Sequence, residues 1–212
     1  MNELLEKLSE SLQKGKAAEV TAYAQQAVAE GKTAKDILDA MLTGMSIIGV
    51  KFKNNEVFVP EVLIAARAMN SGMEVIKPLL VNQGVESAGK VVLGTVKGDL
   101  HDIGKNLVRM MMVGNGLEVV DLGVNVPPEK FIAAIEENHP DIVAMSALLT
   151  TTMGNMKEVI QAITDRGLRD QVKIMVGGAP VNADFALSIG ADKYSPDAAT
   201  AATDARDLIQ LS

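Results

Sequence analysis

The chain has no cysteine and no tryptophan, and aromatic residues fill only 3 % of its 212 positions. Without cysteine there is no disulfide, no thiolate metal site and no cysteine nucleophile. With so few rings the core must be aliphatic. Basic residues are in deficit, 20 Lys and Arg against 27 Asp and Glu, for a net charge of −7. That argues against nucleic-acid binding, which calls for a basic face. No apolar run approaches the about 18 residues of a membrane span. The acidic, amphipathic start MNELLEKLSESLQKGK carries no apolar segment of the signal-peptide kind. A cytoplasmic protein without membrane or nucleic-acid partners is expected. A hydrophobic share of 48 % is still ample for one large domain or two small ones.

The pattern changes period near the middle. Residues 1–83 carry helical signals. Leu4, Leu5, Leu8 and Leu12 recur at helical spacing. A second helix is predicted from Lys16 to Glu30, stopping at Gly31. Thr33 can cap a third, with Asp36 in its first turn, where a carboxylate suits the helix dipole. KFKNNEVFV should break that helix. Pro60 then fits the first position of a fourth, with Pro78 near its end. Four short helices predict a small bundle. The polar, unpatterned stretch at 84–90 reads as a linker.

From 91 to 212 strand-length apolar runs alternate with helical stretches: KVVLGTV, LEVVDLG, DIVAMSA, KIMVGGA and a weak ADKYS. Nearly continuous apolar strands are those of a parallel sheet covered on both faces. Five such units predict a flavodoxin-like, doubly wound α/β domain of strand order 2-1-3-4-5. Ligands of such sheets bind beyond the carboxyl ends of the strands where the order reverses, here between the first and third. The loop after the first strand holds Asp99, His101 and Gly104. The third strand ends at Ser146 and Leu148, and the fourth at Gly177 and Gly178.

His101 is one of only two histidines. A neutral imidazole is a common metal ligand, usually oriented by a carboxylate on its other nitrogen, here Asp99 or Asp102. An ordinary zinc site is out of reach with His101, His139 and no thiolate. His139 should also lie at the opposite end of the sheet. A lone ligating histidine needs a metal whose other ligands come with it in a macrocycle, haem or a corrinoid. Taken alone, a histidine in such a loop is more readily a helix cap or a plain loop residue, and a general base is a further option, though no Ser or Cys nucleophile stands in a suitable elbow nearby. Met110, Met111 and Met112 point three ways on a helix and read as core filling. The run Thr150, Thr151, Thr152 is placed to cap a helix starting near Met153.

Asp99-Leu100-His101-Asp102-Ile103-Gly104 is similar to the DxHxxG signature of cobalamin-binding domains such as that of methionine synthase. Ser146-Ala147-Leu148 matches that family's SxL after 41 intervening residues, and Gly177-Gly178 its GG after 28 more. FVPEVLIAARAM, residues 58–69, resembles a helix of the methyl-cap bundle that precedes the domain. The whole chain looks like the small corrinoid proteins of anaerobic methyltransferase systems, of the methylamine, glycine-betaine and methoxyaromatic type.

The resemblance implies a cap at 1–83 and a cobalamin-binding domain at 91–212. It implies a base-off, His-on corrinoid with His101 as the lower axial cobalt ligand, Asp99 on its other nitrogen and Ser146 extending the relay. Cobalt would cycle between Co(I) and methyl-Co(III). Gly98, Asp102, Ile103, Gly104, Leu148, Thr150, Gly177 and Gly178 would contact the cofactor, the glycines lining a channel for its nucleotide tail. Phe58 and Val59 would cover the upper face, with Leu63 and Met69 in the bundle core behind them. The implied function is a methyl shuttle, not an enzyme alone. Its partners would be a substrate-specific methyltransferase, a second methyltransferase acting on tetrahydrofolate or a thiol such as coenzyme M, and a reductive activase. A cobalamin sensor, a mutase cobalamin subunit and a response-regulator-like domain are the competing readings.

Overall fold

A computed structural model describes residues 3–82 and 88–210. The chain divides into two compact units, one holding the N-terminal helices and the other the sheet. Positions 84–87 of the expected linker lie outside the described residues.

The first unit consists of α1 (Glu3–Gln13), α2 (Ala17–Ala29), α3 (Ala34–Lys53) and α4 (Val59–Asn82). Leu8 and Leu12 of α1 are fully buried, each contributing about 1.5–3 kcal/mol by leaving water. Thr33 begins α3 with a full capping box: its hydroxyl accepts from the Asp36 N–H at 3.0 Å, and the Asp36 carboxylate accepts from the Thr33 N–H at 3.3 Å. Two glycines allow the helices to close up. A side chain at Gly44 would press on Ser9 of α1, and one at Gly72 would meet Met41 and Val20.

Three expectations shift here. KFK does not break α3, which runs through Lys53; two lysines in its last turn complement the dipole. Val59, not Pro60, opens α4, and proline is tolerated in that first turn because its missing N–H has no helical partner there. Leu63 is 37 % exposed and belongs to the surface, whereas Val62 and Met69 are buried.

The second unit has β1 (Lys90–Thr95), α5 (Ile103–Gly114), β2 (Glu118–Asp121), α6 (Pro128–Asn138), β3 (Ile142–Ser146), α7 (Gly154–Asp165), β4 (Lys173–Gly177), α8 (Ala183–Ser188), β5 (Lys193–Tyr194) and α9 (Ala198–Gln210). The five strands are parallel in the order β2-β1-β3-β4-β5, as the alternation of strand and helix signals predicts. Val92, Val143, Met145, Ile174 and Val176 join Phe131 of α6 and Met156 of α7 in one core. The alternate strand residues Val91, Ile142 and Ala144 are buried outside that cluster, so both sheet faces are covered. Gly94 makes room for Phe131, whose ring would lie 2.9 Å from an added Cβ. His139 closes α6 in the left-handed conformation, φ 46°, at the end of the sheet opposite the carboxyl ends. Met111 and Met112 are buried, as core filling requires.

Candidate functional site

The strand register brings the three singled-out segments side by side. Thr95, at the end of β1, pairs with Ser146 at the end of β3, and Ser146 pairs with Gly177 at the end of β4. Beyond Thr95 the chain turns at Gly98 (φ 79°) and carries Asp99, Leu100, His101 and Asp102 before α5 begins. The buried Thr95 hydroxyl donates to the His101 carbonyl at 2.9 Å, tying the loop back to the strand.

Asp99 is fully buried. A buried carboxylate is costly unless it is hydrogen-bonded, and this one is surrounded by donors. Its Oδ1 takes His101 Nδ1 at 2.8 Å and the His101 N–H at 3.1 Å. Its Oδ2 takes the N–H groups of Leu148 at 2.8 Å and Leu149 at 3.2 Å, and the Thr152 hydroxyl at 2.7 Å. Burial pushes the carboxyl up, but the bonds from Thr152, Leu148 and His101 outweigh it and hold Asp99 well below the usual carboxylate range. Asp99 is therefore an anion at neutral pH. It accepts from Nδ1–H, which leaves the lone pair on Nε2 of a ring that stays half exposed.

The structure sorts the sequence-derived residues. Asp99, not Asp102, orients the imidazole; Asp102 accepts from the Asn106 side chain instead. The hydroxyl joined to Asp99 is that of Thr152, whereas the resemblance gave that place to Ser146, which stands half buried at the end of β3. Thr152 does not cap α7. Met153 precedes that helix without a side-chain cap, and the threonine is buried against Asp99. The threonine run was visible in the sequence, but only the fold of the 147–153 turn aims its third member at Asp99. Thr150 is exposed on the same turn.

The glycines differ in what requires them. At Gly178, φ is 129° and a side chain would collide with the Ala147 backbone, so the protein itself demands glycine. At Gly104 nothing lies within 4 Å of an added Cβ, although the residue is helical, where alanine is the better former. Gly177 has only the Ser195 carbonyl, at 3.2 Å. Leu100 is 70 % and Ile103 77 % exposed, with Leu148 and Leu149 about two-fifths exposed. A half-exposed oriented imidazole, uncovered aliphatic side chains on the segments joined at Asp99, and open space at Gly104 are chemically compatible with the corrinoid that the sequence resemblance implies.

Behind the loop, Lys105 in the first turn of α5 is buried, and both Asp121 oxygens lie 2.6 Å from its ammonium. Burial raises the Asp121 carboxyl, but Lys105, the Gly123 N–H and Arg109 prevail and lower it. Among the described residues, no group of three or more His, Cys, Asp and Glu side chains is placed to hold a metal ion. In the first unit Phe58 is 62 % exposed ahead of α4, its N–H donating to the Glu61 carboxylate at 3.1 Å, and Val59 is half buried. No helix among the described residues is long and apolar enough to cross a membrane.

Comparison with known proteins agrees with this chemistry. Two family models, each described as a B12 binding domain, match residues 89–203 and 4–77. The chain is 44 % identical over 189 residues to trimethylamine corrinoid protein 1 of Methanosarcina acetivorans, covering 88 % of each. It is 39 % identical to the dimethylamine corrinoid protein of Methanosarcina barkeri, covering 98 % of each. Among solved structures, the methanol:cobalamin methyltransferase complex MtaBC of Methanosarcina barkeri matches with a TM-score of 0.87 at 33 % identity, over all of this chain and 81 % of that one. A cobalamin-binding protein of Desulfitobacterium hafniense matches with a TM-score of 0.83 at 31 % identity, over 96 % of this chain and 98 % of that one.

Proposed function

Since the chain belongs to the B12-binding corrinoid proteins, we propose that it is the methyl-carrying component of a methyltransferase system and is not an enzyme by itself. A bound corrinoid supplies a cobalt centre able to take up and give up a methyl group. The protein's own residues would hold that group, orient the imidazole offered to its cobalt, and keep water from the reaction.

The observation that carries the reading is the imidazole of His101, fixed at Nδ1 by a buried Asp99 and half exposed. With Nδ1 engaged, Nε2 would be the atom that His101 offers to the cobalt of a base-off, His-on corrinoid. Asp99 fixes the tautomer, and Thr152 with the Leu148 N–H keeps Asp99 charged and in place. Gly98, Asp102, Ile103, Gly104, Leu148, Thr150, Gly177 and Gly178 are assigned to the cofactor seat, and Ser146 stays in it as a strand-end hydroxyl beside Gly177. Phe58 and Val59 of the helical cap, placed at 1–83, are assigned to shielding the reacting side; a phenylalanine this exposed has apolar surface to bury.

The methyl donor side is read as a substrate-specific methyltransferase, by analogy with the corrinoid relatives of trimethylamine, dimethylamine and methanol systems. A second methyltransferase with tetrahydrofolate or a thiol as acceptor, a reductive activase, and a cytoplasmic setting complete the proposal.

The test is the visible spectrum of the protein reconstituted with hydroxocobalamin, for wild type and His101→Ala. Wild type should retain the corrinoid through desalting with its benzimidazole displaced, and the variant should show altered axial coordination. A folded wild type that retains no corrinoid, or identical spectra for the two proteins, overturns the reading.

A further inference from the structure

Two asparagines hold the segment that bears His101, and they hold it with opposite polarity. Asn125 lies in the loop between β2 and α6 with φ 52°. A non-glycine residue there carries strain, and asparagine is among the few that tolerate it. Its Oδ1 accepts from the Gly98 N–H at 2.8 Å, and its own N–H donates to the Asp99 carbonyl at 2.9 Å. Asn155, in the first turn of α7, donates from Nδ2 to the Lys97 carbonyl at 2.6 Å. These bonds bracket residues 97–99 from two different elements, the β2–α6 loop and the start of α7. The segment that follows has no regular structure and bears the exposed Leu100 and His101. Neither asparagine side chain bonds to His101, so each acts on it through the backbone that Asp99 and His101 share.

We infer that Asn125 and Asn155 are positioning residues for His101, one by accepting and the other by donating a hydrogen bond, and that together they present the imidazole already oriented for ligation. The inference rests on the corrinoid reading. It explains why a strained asparagine stands at 125: the left-handed backbone lets one residue receive the Gly98 N–H and return its own N–H to Asp99. Ligand-bearing loops fixed before binding lose less entropy when the ligand arrives.

The polarity makes a sharp test. Aspartate at 125 keeps the acceptor. Aspartate at 155 removes the donor and sets a carboxylate against a carbonyl. Glycine at 125 keeps the backbone conformation and removes the side chain. The full-length variants Asn125→Asp, Asn125→Gly and Asn155→Asp are titrated with hydroxocobalamin by absorbance, beside His101→Ala. Hydrogen exchange of the Gly98 amide is followed in the corrinoid-free proteins. Asn125→Gly and Asn155→Asp should weaken binding by about tenfold or more, the usual effect of removing a group that orients a ligand. Asn125→Asp should stay close to wild type, and should protect the Gly98 amide as wild type does, whereas Asn125→Gly should expose it.

Wild-type affinity in both Asn125→Gly and Asn155→Asp, or equal losses in the two aspartate variants, overturns the inference alone, provided that His101→Ala changes the spectrum. An unchanged His101→Ala spectrum overturns the corrinoid reading and the inference with it. Should Asn125→Gly fail to fold, the opposite outcomes required of the two aspartate variants still decide the matter.

Discussion

Asp99 receives donors from three directions: the imidazole and N–H of His101, the N–H groups of Leu148 and Leu149, and the hydroxyl of Thr152. Such a carboxylate works as a fixed anion, and its value to the site is orientation. Thr152 is the side chain whose loss isolates this effect. Thr152→Val keeps the shape and deletes the donor, and should cost about 1.5–3 kcal/mol, the range for a bond to a charged group. Thr152→Ser keeps the donor and should sit near wild type in urea unfolding. The hydroxocobalamin spectrum should follow the same order, with valine weakening the His101 signature and serine preserving it. Equal stability and equal spectra for valine and serine would remove Thr152 from the relay.

The first turn of α5 meets two demands at the scale of an element. Gly104 faces open space, so Gly104→Ala should raise stability by about 0.5–1 kcal/mol, as expected for alanine in a helix. On the proposed seating, the same methyl group should lower corrinoid affinity by entering space assigned to the ligand. Thermal melts of the corrinoid-free protein and a hydroxocobalamin titration should therefore move in opposite directions; an unchanged affinity contradicts the assignment of Gly104 to the seat. One residue on, Lys105 ties α5 to the end of β2 through Asp121, whose side chain is 24 % exposed. Removing the lysine as Lys105→Met leaves that carboxylate poorly compensated and should cost about 1–3 kcal/mol near neutral pH, below the range for a fully buried pair. Asp121 titrates below its ordinary value of 3.8. Its contribution is thus fully present above that value and lost as the pH falls beneath it toward the lowered one. The stability gap between wild type and Lys105→Met should narrow below pH 3.8 and hold steady above it. A gap independent of pH across that range would place the cost elsewhere than in the ion pair.

For the whole molecule, a ligand that binds the folded chain alone must stabilise it. Hydroxocobalamin at a hundred times its dissociation constant should add about 2.7 kcal/mol to the unfolding free energy. His101→Ala should need more ligand for the same shift. An unfolding transition indifferent to saturating corrinoid contradicts binding to the folded state. Much of this was legible beforehand, because the signals are local. The apolar periods set out the N-terminal helices and the five strands, since each depends on residues close together in the chain, and the strand order followed from the general rule for alternating strands and helices. The topology also placed the motif Asp99 to Gly104 beside Ser146 and Gly177, and the register bears out that adjacency. What could not be read was which side chains meet. Thr152 stands 53 positions from Asp99, Asn125 27 from Gly98 and Asn155 58 from Lys97. A hydrogen bond depends on a few tenths of an ångström and on direction, and sequence spacing fixes neither once a turn intervenes. The sequence determined the fold and the residues of the loop; the tertiary structure alone decided that the Thr152 hydroxyl donates to Asp99, that Asn125 and Asn155 bond to the loop backbone, and that Gly104 is free of the protein's own atoms.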